Sequence, residues 1–143
     1  MNEPADGADE RLQPLTREEC LELLATVSVG RVAVALPDSP PLVLPVNYAV
    51  DGDVIVFRSA PGSKLDALRD NPASFQVDWI DPLHRTGWSV LVQGFAYETS
   101  PSGVEIEPWD PGPKEHWVRI FAGTITGRRL TLPPVEIDPR GYR

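Results

Sequence analysis

Short runs rich in β-branched and other apolar residues, some of them strictly alternating and separated by turns containing Gly, Pro or Asp, dominate the chain from Arg31 onward. A period of two places successive side chains on opposite faces of a strand. The first run, Arg31 to Leu36, is broken by Pro37-Asp38-Ser39-Pro40-Pro41. The second, Leu42 to Val50, leads through Asp51-Gly52 into Asp53 to Arg58, and an Asp-Gly pair between two apolar runs predicts a tight hairpin. Pro45 lies inside the first arm and cannot donate to a ladder, which predicts an edge or a bulge, with Asn47 on the same face. Ser74 to Ile80 alternates with Phe75, Val77 and Trp79 on one side. Trp88 to Thr99 is apolar at both parities, which predicts a strand buried on both faces, and Gly94 within it predicts a bulge or a close backbone approach. His116 to Thr126 closes the set, with Trp117, Arg119 and Phe121 alternating with Val118, Ile120 and Ala122.

Helical spacing is confined to two short stretches. Thr16 as N-cap, Glu19 three residues later as its capping-box partner and Leu15 facing Cys20 as a staple start a helix. Its apolar face is Cys20, Leu21, Leu24 and Val27, and the pattern predicts a stop near Ser28 to Gly30. A second helix is expected from Ser63 to about Asp70, with Ser63 as its cap and Asn71-Pro72 ending it. About six strands, two short helices, hairpin-like spacings and no regular βαβ alternation predict a mainly β fold, a small antiparallel barrel. Residues 1–13 are acidic and aperiodic and are expected to form a flexible tail; residues 14–132 form the domain, and 133–143 a proline-punctuated C-terminal tail.

Composition narrows the partners. The net charge of −8, from 13 basic and 21 acidic residues, argues against a nucleic-acid binder, whose affinity comes from lysines and arginines facing phosphates. No apolar run reaches the roughly 18 residues of a membrane span, and the N-terminus lacks a basic-then-apolar signal, so no membrane partner and a cytoplasmic location are expected. The single cysteine, Cys20, cannot form an internal disulfide; with His84 and His116 as the only histidines, a metal site is not expected. Sixteen prolines, about twice the usual share of roughly 5%, predict turns and connections rather than long helices.

No Gly-x-Ser-x-Gly, His-Glu-x-x-His, Cys-x-x-Cys or P-loop pattern is present, so hydrolytic and metal chemistry lose their support. The informative stretch is Phe57 to Asn71, where a strand gives way to a Gly turn and a short helix. Arg58 at the strand end and Lys64 in the first helical turn are both unusual there. A cation near a helix start opposes the helix dipole unless an anion lies between them. Arg58, Gly62, Ser63 and Lys64 therefore form either an anion cradle or an ordinary solvated surface.

The runs Pro45-Val46-Asn47-Tyr48, Val50-Asp51-Gly52, Val56-Phe57-Arg58-Ser59-Ala60, Gly62-Ser63-Lys64-Leu65, Asn71-Pro72, Val77-Asp78 and Gly87-Trp88-Ser89-Val90-Leu91-Val92-Gln93-Gly94 occur in this order over residues 15–130. Together they resemble the pyridoxamine 5'-phosphate oxidase-like FMN-binding family, and most of all its short branch of nitroimidazole-reductase-like proteins. The resemblance implies a split antiparallel β-barrel, a homodimer, and FMN in clefts at the subunit interface. Carried over by position, it implies that Arg58 and Lys64 grip the FMN phosphate, that Ser59 and Ser63 add hydrogen bonds, and that Phe57 and Leu65 are also among the cofactor-binding residues. It further implies that Pro45, Val46, Asn47 and Tyr48 run along the isoalloxazine, with Trp88 and Ser89 near the site and reaching across the dimer.

An FMN-dependent oxidoreductase acting on a small molecule is the function expected on this basis. Its rivals are a flavin or small-ligand binding protein without turnover and a deazaflavin-dependent reductase on the same fold. Two departures stand out. Members of this branch commonly carry a helix between the long strand and the His-Trp-Val-Arg-Ile segment, whereas Ser100 to Pro113 here is short and rich in proline. The chain also lacks a long C-terminal segment resembling that of the vitamin-processing oxidases.

Overall fold

The structure, a computed structural model, describes residues 11–101 and 103–132. Its elements are β1 (Leu12–Pro14), α1 (Arg17–Leu24), β2 (Val29–Val34), β3 (Leu42–Asp51), β4 (Val54–Ser59), α2 (Ser63–Leu68), β5 (Asn71–Asp81), β6 (Thr86–Thr99) and β7 (His116–Leu130). Six strands close in the antiparallel order β7-β4-β3-β2-β5-β6, with β6 returning to β7. This is the small antiparallel barrel that the strand pattern predicts, in the split form that the resemblance implies. β1 adds to the far end of β7 through Leu12 opposite Leu130, so Leu12 and Gln13, inside the expected tail, are part of the sheet. Both expected tails otherwise lie outside the described residues, at 1–10 and 133–143. Among the described residues no helix is long and apolar enough to cross a membrane.

Helix α1 starts as its capping signals require. Thr16 Oγ1 accepts the Glu19 N–H at 3.2 Å, and Glu19 Oε1 accepts the Thr16 N–H at 2.9 Å. Cys20 and Leu24 are fully buried beneath it, and burial pushes the Cys20 thiol up, which fits a packing role better than a reactive one. The helix stops at Ala25, earlier than predicted. Gly30 is not its stop signal: it lies in β2, where a Cβ would come within 2.2 Å of the Phe75 ring. Glycine is required there so that Phe75 can pack against the strand.

Two further expectations change in the closed sheet. The hairpin turn is Gly52-Asp53, one position beyond Asp51-Gly52, with Asp51 opposite Val54 and Gly52 at φ 65°. Strand β6 is buried on one face only. Val90, Val92 and Ala96 point into the barrel, whereas Phe95 is 49% and Tyr97 38% exposed, because a single closed barrel has one interior. Gly94 does mark an irregularity. The β6–β7 register shifts between Gln93 and Gly94, where a Cβ would lie 1.9 Å from the Phe121 carbonyl oxygen.

The barrel wall parts between β3 and β4. Pairing of β3 with β4 runs from Asp51↔Val54 to Tyr48↔Phe57 and ends there. Beyond it β3 follows β2, while β4 continues along β7 to Ser59. The gap opens between Asn47 and Arg58. The Tyr48 N–H points to Ser28 O on the β2 side, so by alternation the Pro45 nitrogen faces the opening, where no ladder partner is needed. The proline thus marks the edge that its position predicts.

Candidate functional site

Alternation along β4 decides what faces the gap. Ile55 and Phe57 are fully buried in the core with Val118 and Ile120. Val56 and Arg58 lie on the other face, opposite Arg119 and Trp117 of β7. An arginine that looks misplaced in a core strand is therefore on the outside of the barrel. There the segment between β6 and β7 crosses the gap as a strap, with no helix or strand among its described residues. Arg58 Nε donates to Lys114 O at 2.9 Å and Nη1 to Ile106 O at 3.3 Å, while its guanidinium lies 5.3 Å from the Trp117 ring centroid. Asn47 holds the strap from the β3 side: its Oδ1 accepts the Trp109 N–H at 2.8 Å, and its Nδ2 donates to Ser28 O at 3.3 Å.

Strap and gap enclose a cavity of about 200 Å³. Its floor is Val29, Pro45, Val46 and Asn47; its charged lining is Arg58, Lys64, Lys114 and Asp110. Among the described residues three cations therefore face one carboxylate. Lys64 and Lys114 are the only two lysines in the sequence, in a chain whose net charge is −8. Lys114 pairs with Asp110 at 3.0 Å, but among the described residues Lys64 makes no hydrogen bond or ion pair. Burial pulls the Lys64 ammonium below its ordinary pKa, and the Lys114 charge pulls it further, against a smaller opposing effect of Asp110. A half-buried cation beside a second cation is unfavourable unless an anion joins them.

The cavity gathers five of the residues singled out in the sequence: Pro45, Val46, Asn47, Arg58 and Lys64. It does not gather the others. Tyr48, Phe57, Ser59 and Leu65 point inward and are buried. Tyr48 donates its hydroxyl to Leu24 O and packs edge-on against Phe75, while Ser59 Oγ donates to Ala60 O. Ser63 is exposed in the first turn of α2; the N-cap is Gly62 at φ 142°, so Ser63 is not the cap that was expected. Trp88 and Ser89 line a separate, mostly apolar groove of about 410 Å³ with Ile80, Arg85 and Arg128. Their strand is separated from β3 by β2 and β5. Neither histidine reaches the cavity: His84 Nδ1 pairs with Asp81 at 2.6 Å and His116 Nδ1 with Glu98 at 2.6 Å.

Trp109, Asp110 and Lys114 escaped the sequence reading. They sit in a proline-rich connection without periodicity, and their one local signal was that Lys114 is the only lysine besides Lys64.

A barrel that splits at an edge proline, with cations concentrated at the split, defines a split-barrel protein. The chain belongs to the pyridoxamine 5'-phosphate oxidase family, whose model matches residues 16–129. A crystal structure of a putative pyridoxamine 5'-phosphate oxidase from Corynebacterium glutamicum is 34% identical and superposes with a TM-score of 0.75, covering 90% of this chain and 100% of that one. An FAD binding protein from Mycobacterium smegmatis is 32% identical, with a TM-score of 0.69 over 83% of this chain and 98% of that one. An uncharacterized protein of Mycobacterium tuberculosis is 34% identical over 128 residues, which span 81% of this chain and 84% of the relative.

Proposed function

We propose that this chain is a flavin-dependent oxidoreductase that holds FMN by its phosphate in the Lys64 cavity, at the interface of a homodimer, and acts on a small-molecule electron acceptor. The observation that carries this reading is the convergence of both lysines of an acidic chain on one cavity, with Lys64 lacking any ion-pair or hydrogen-bond partner among the described residues. A phosphate ester fits this donor set, because its charge satisfies both ammonium groups and leaves no buried cation unpaired. The FAD-binding relative at 32% identity supports a flavin as the molecule that carries the phosphate.

Size supports the dimer. A cavity of about 200 Å³ is smaller than the roughly 300 to 1,000 Å³ of sites that enclose a cofactor. It has room for the phosphate end of a flavin nucleotide, and the remainder needs walls from elsewhere. A second copy is the economical source of those walls. Outward-facing Phe95, Tyr97 and Phe121 form an aromatic patch on β6 and β7, with Tyr97 and Phe121 edge-on at 5.7 Å, of the kind that marks subunit contacts. In that assembly the groove of Trp88 and Ser89 is the element that reaches the partner's flavin.

A bound flavin supplies the two-electron chemistry. The chain's own part is to bind and orient. Lys64 and Lys114 neutralise the phosphate, Arg58 fixes the strap above it, and Pro45 gives the β3 edge a surface without an N–H donor. FAD is the second reading, favoured by the Mycobacterium smegmatis relative. The test is to purify the full chain, record its visible spectrum, and titrate it with FMN, FAD and a deazaflavin. Flavin absorbance with about one flavin per chain, bleached by a nicotinamide cofactor and restored by an acceptor, is the expected result. Binding without reduction leaves a flavin carrier, and failure to bind FMN or FAD sinks the proposal.

A further inference from the structure

The strap places a carboxylate where the ligand's phosphate is expected, and this inference rests on the phosphate reading of the cavity. Lys114 is sunk in the wall, with its side chain 12% exposed, while its partner Asp110 stands at the mouth with its side chain 78% exposed. Among the described residues Asp110 is the only acidic one lining the cavity, against Arg58, Lys64 and Lys114. Its charge also acts on Lys64, opposing the downward pull of burial and of Lys114. The carboxylate pairs with Lys114 and leaves Lys64 without an ion pair among the described residues, so it does part of the task that a phosphate between the two lysines would take over.

We propose that Asp110 is a built-in competitor of the ligand's phosphate: its carboxylate neutralises Lys114 in the free protein, and the phosphate displaces it on binding. Two anions at one pair of lysines repel each other, so the ion pair must open before the phosphate can settle. The carboxylate is well placed to leave. It is solvated on its outer side, so returning it to water costs little. The lysine is not, and it keeps a counter-charge in both states. The competitor lowers affinity while sparing the free protein a second unneutralised lysine. The same exchange makes the grip selective, since riboflavin, which has no phosphate, cannot replace the lost ion pair.

The experiment measures dissociation constants of FMN, FAD and riboflavin for three full-length proteins at one salt concentration: wild type, Asp110→Asn and Glu107→Gln. Glu107 lies in the same strap, is exposed and does not line the cavity, so its replacement makes the same change in net charge without touching the ion pair. Asp110→Asn is expected to bind the phosphate-bearing flavin about fivefold tighter than wild type, with riboflavin unchanged, and Glu107→Gln to differ from wild type by less than about twofold. If wild type prefers FMN or FAD to riboflavin but Asp110→Asn behaves like Glu107→Gln, or binds more weakly than wild type, the competitor is overturned and the phosphate site stands. If wild type shows no preference for a phosphate-bearing flavin, the phosphate site falls and the competitor falls with it.

Discussion

Asn47 and Trp109 are 62 residues apart in sequence and joined by one hydrogen bond, from the Trp109 N–H to the Asn47 side-chain oxygen at 2.8 Å. It closes the opening left where β3 parts from β4. Both polar ends of the Asn47 amide are engaged, since its Nδ2 donates to Ser28 O. Asn47→Ala is expected to cost about 1 to 2 kcal/mol of stability, two ordinary hydrogen bonds in a partly exposed setting. It is also expected to raise hydrogen exchange at the Trp109 amide selectively. Unchanged exchange at Trp109 would show that the strap is held without Asn47.

Arg58 and Lys64 line the same cavity but do different work. Lys64→Ala is expected to weaken flavin binding by about 1.5 to 3 kcal/mol, the loss of a charge-assisted contact, while leaving the thermal midpoint at or slightly above wild type. Among the described residues Lys64 makes no hydrogen bond or ion pair that the substitution would break, and burial disfavours its charged form. Arg58→Ala is expected to weaken binding to a similar extent and also to lower the midpoint, because two strap hydrogen bonds and the Trp117 contact go with it. Titration and melting curves for both variants separate the roles; equal midpoints would contradict the strap function of Arg58.

The aromatic patch on β6 and β7 tests the assembly. Phe121→Glu is expected to give a monomer by light scattering at micromolar concentration, with circular dichroism like that of wild type and markedly reduced flavin retention. Phe121 is 45% exposed, so the barrel interior does not depend on it. A variant that stays dimeric would place the interface on another face. A wild-type monomer that holds flavin would remove the interfacial site altogether.

Glu98 links β6 to both α2 and β7, accepting from Arg69 Nε at 2.7 Å and pairing with His116 Nδ1 at 2.6 Å. The His116 hydrogen bond, followed by Arg69, holds its carboxyl below the ordinary value of 4.5. A carboxylate with a depressed folded pKa contributes stability that is complete above its unfolded value and is lost as the pH falls through the folded one. Glu98→Gln is therefore expected to melt below wild type at neutral pH, with the gap closing in strong acid. A gap that is the same at every pH would assign the loss to packing instead of charge.

Much of the architecture was legible in the order of the residues, because strand periodicity, capping and proline chemistry are local. Thr16 and Glu19 need only each other to start α1, and Pro45 cannot occupy a paired central position whatever surrounds it. Ser63 shows the limit of such signals: it looks like a cap, but the helix begins one residue earlier from Gly62. Gly30 shows another, since its reason for being glycine is a phenylalanine 45 residues away.

The candidate site was half legible for the same reason. Arg58 and Lys64 are conspicuous locally, one at a strand end and one in a first helical turn. Closure of the barrel decided which residues join them. It turned Phe57 and Ser59 inward and Arg58 outward, and separated Trp88 from the cavity by two strands. It also brought in Asp110 and Lys114 from a segment with no pattern of its own. The sequence by itself determined that the chain forms a small barrel with a cationic turn after its hairpin. Only the tertiary structure decided that the two lysines meet, because side chains about fifty positions apart become neighbours through strand pairing, not through anything their own neighbourhoods encode.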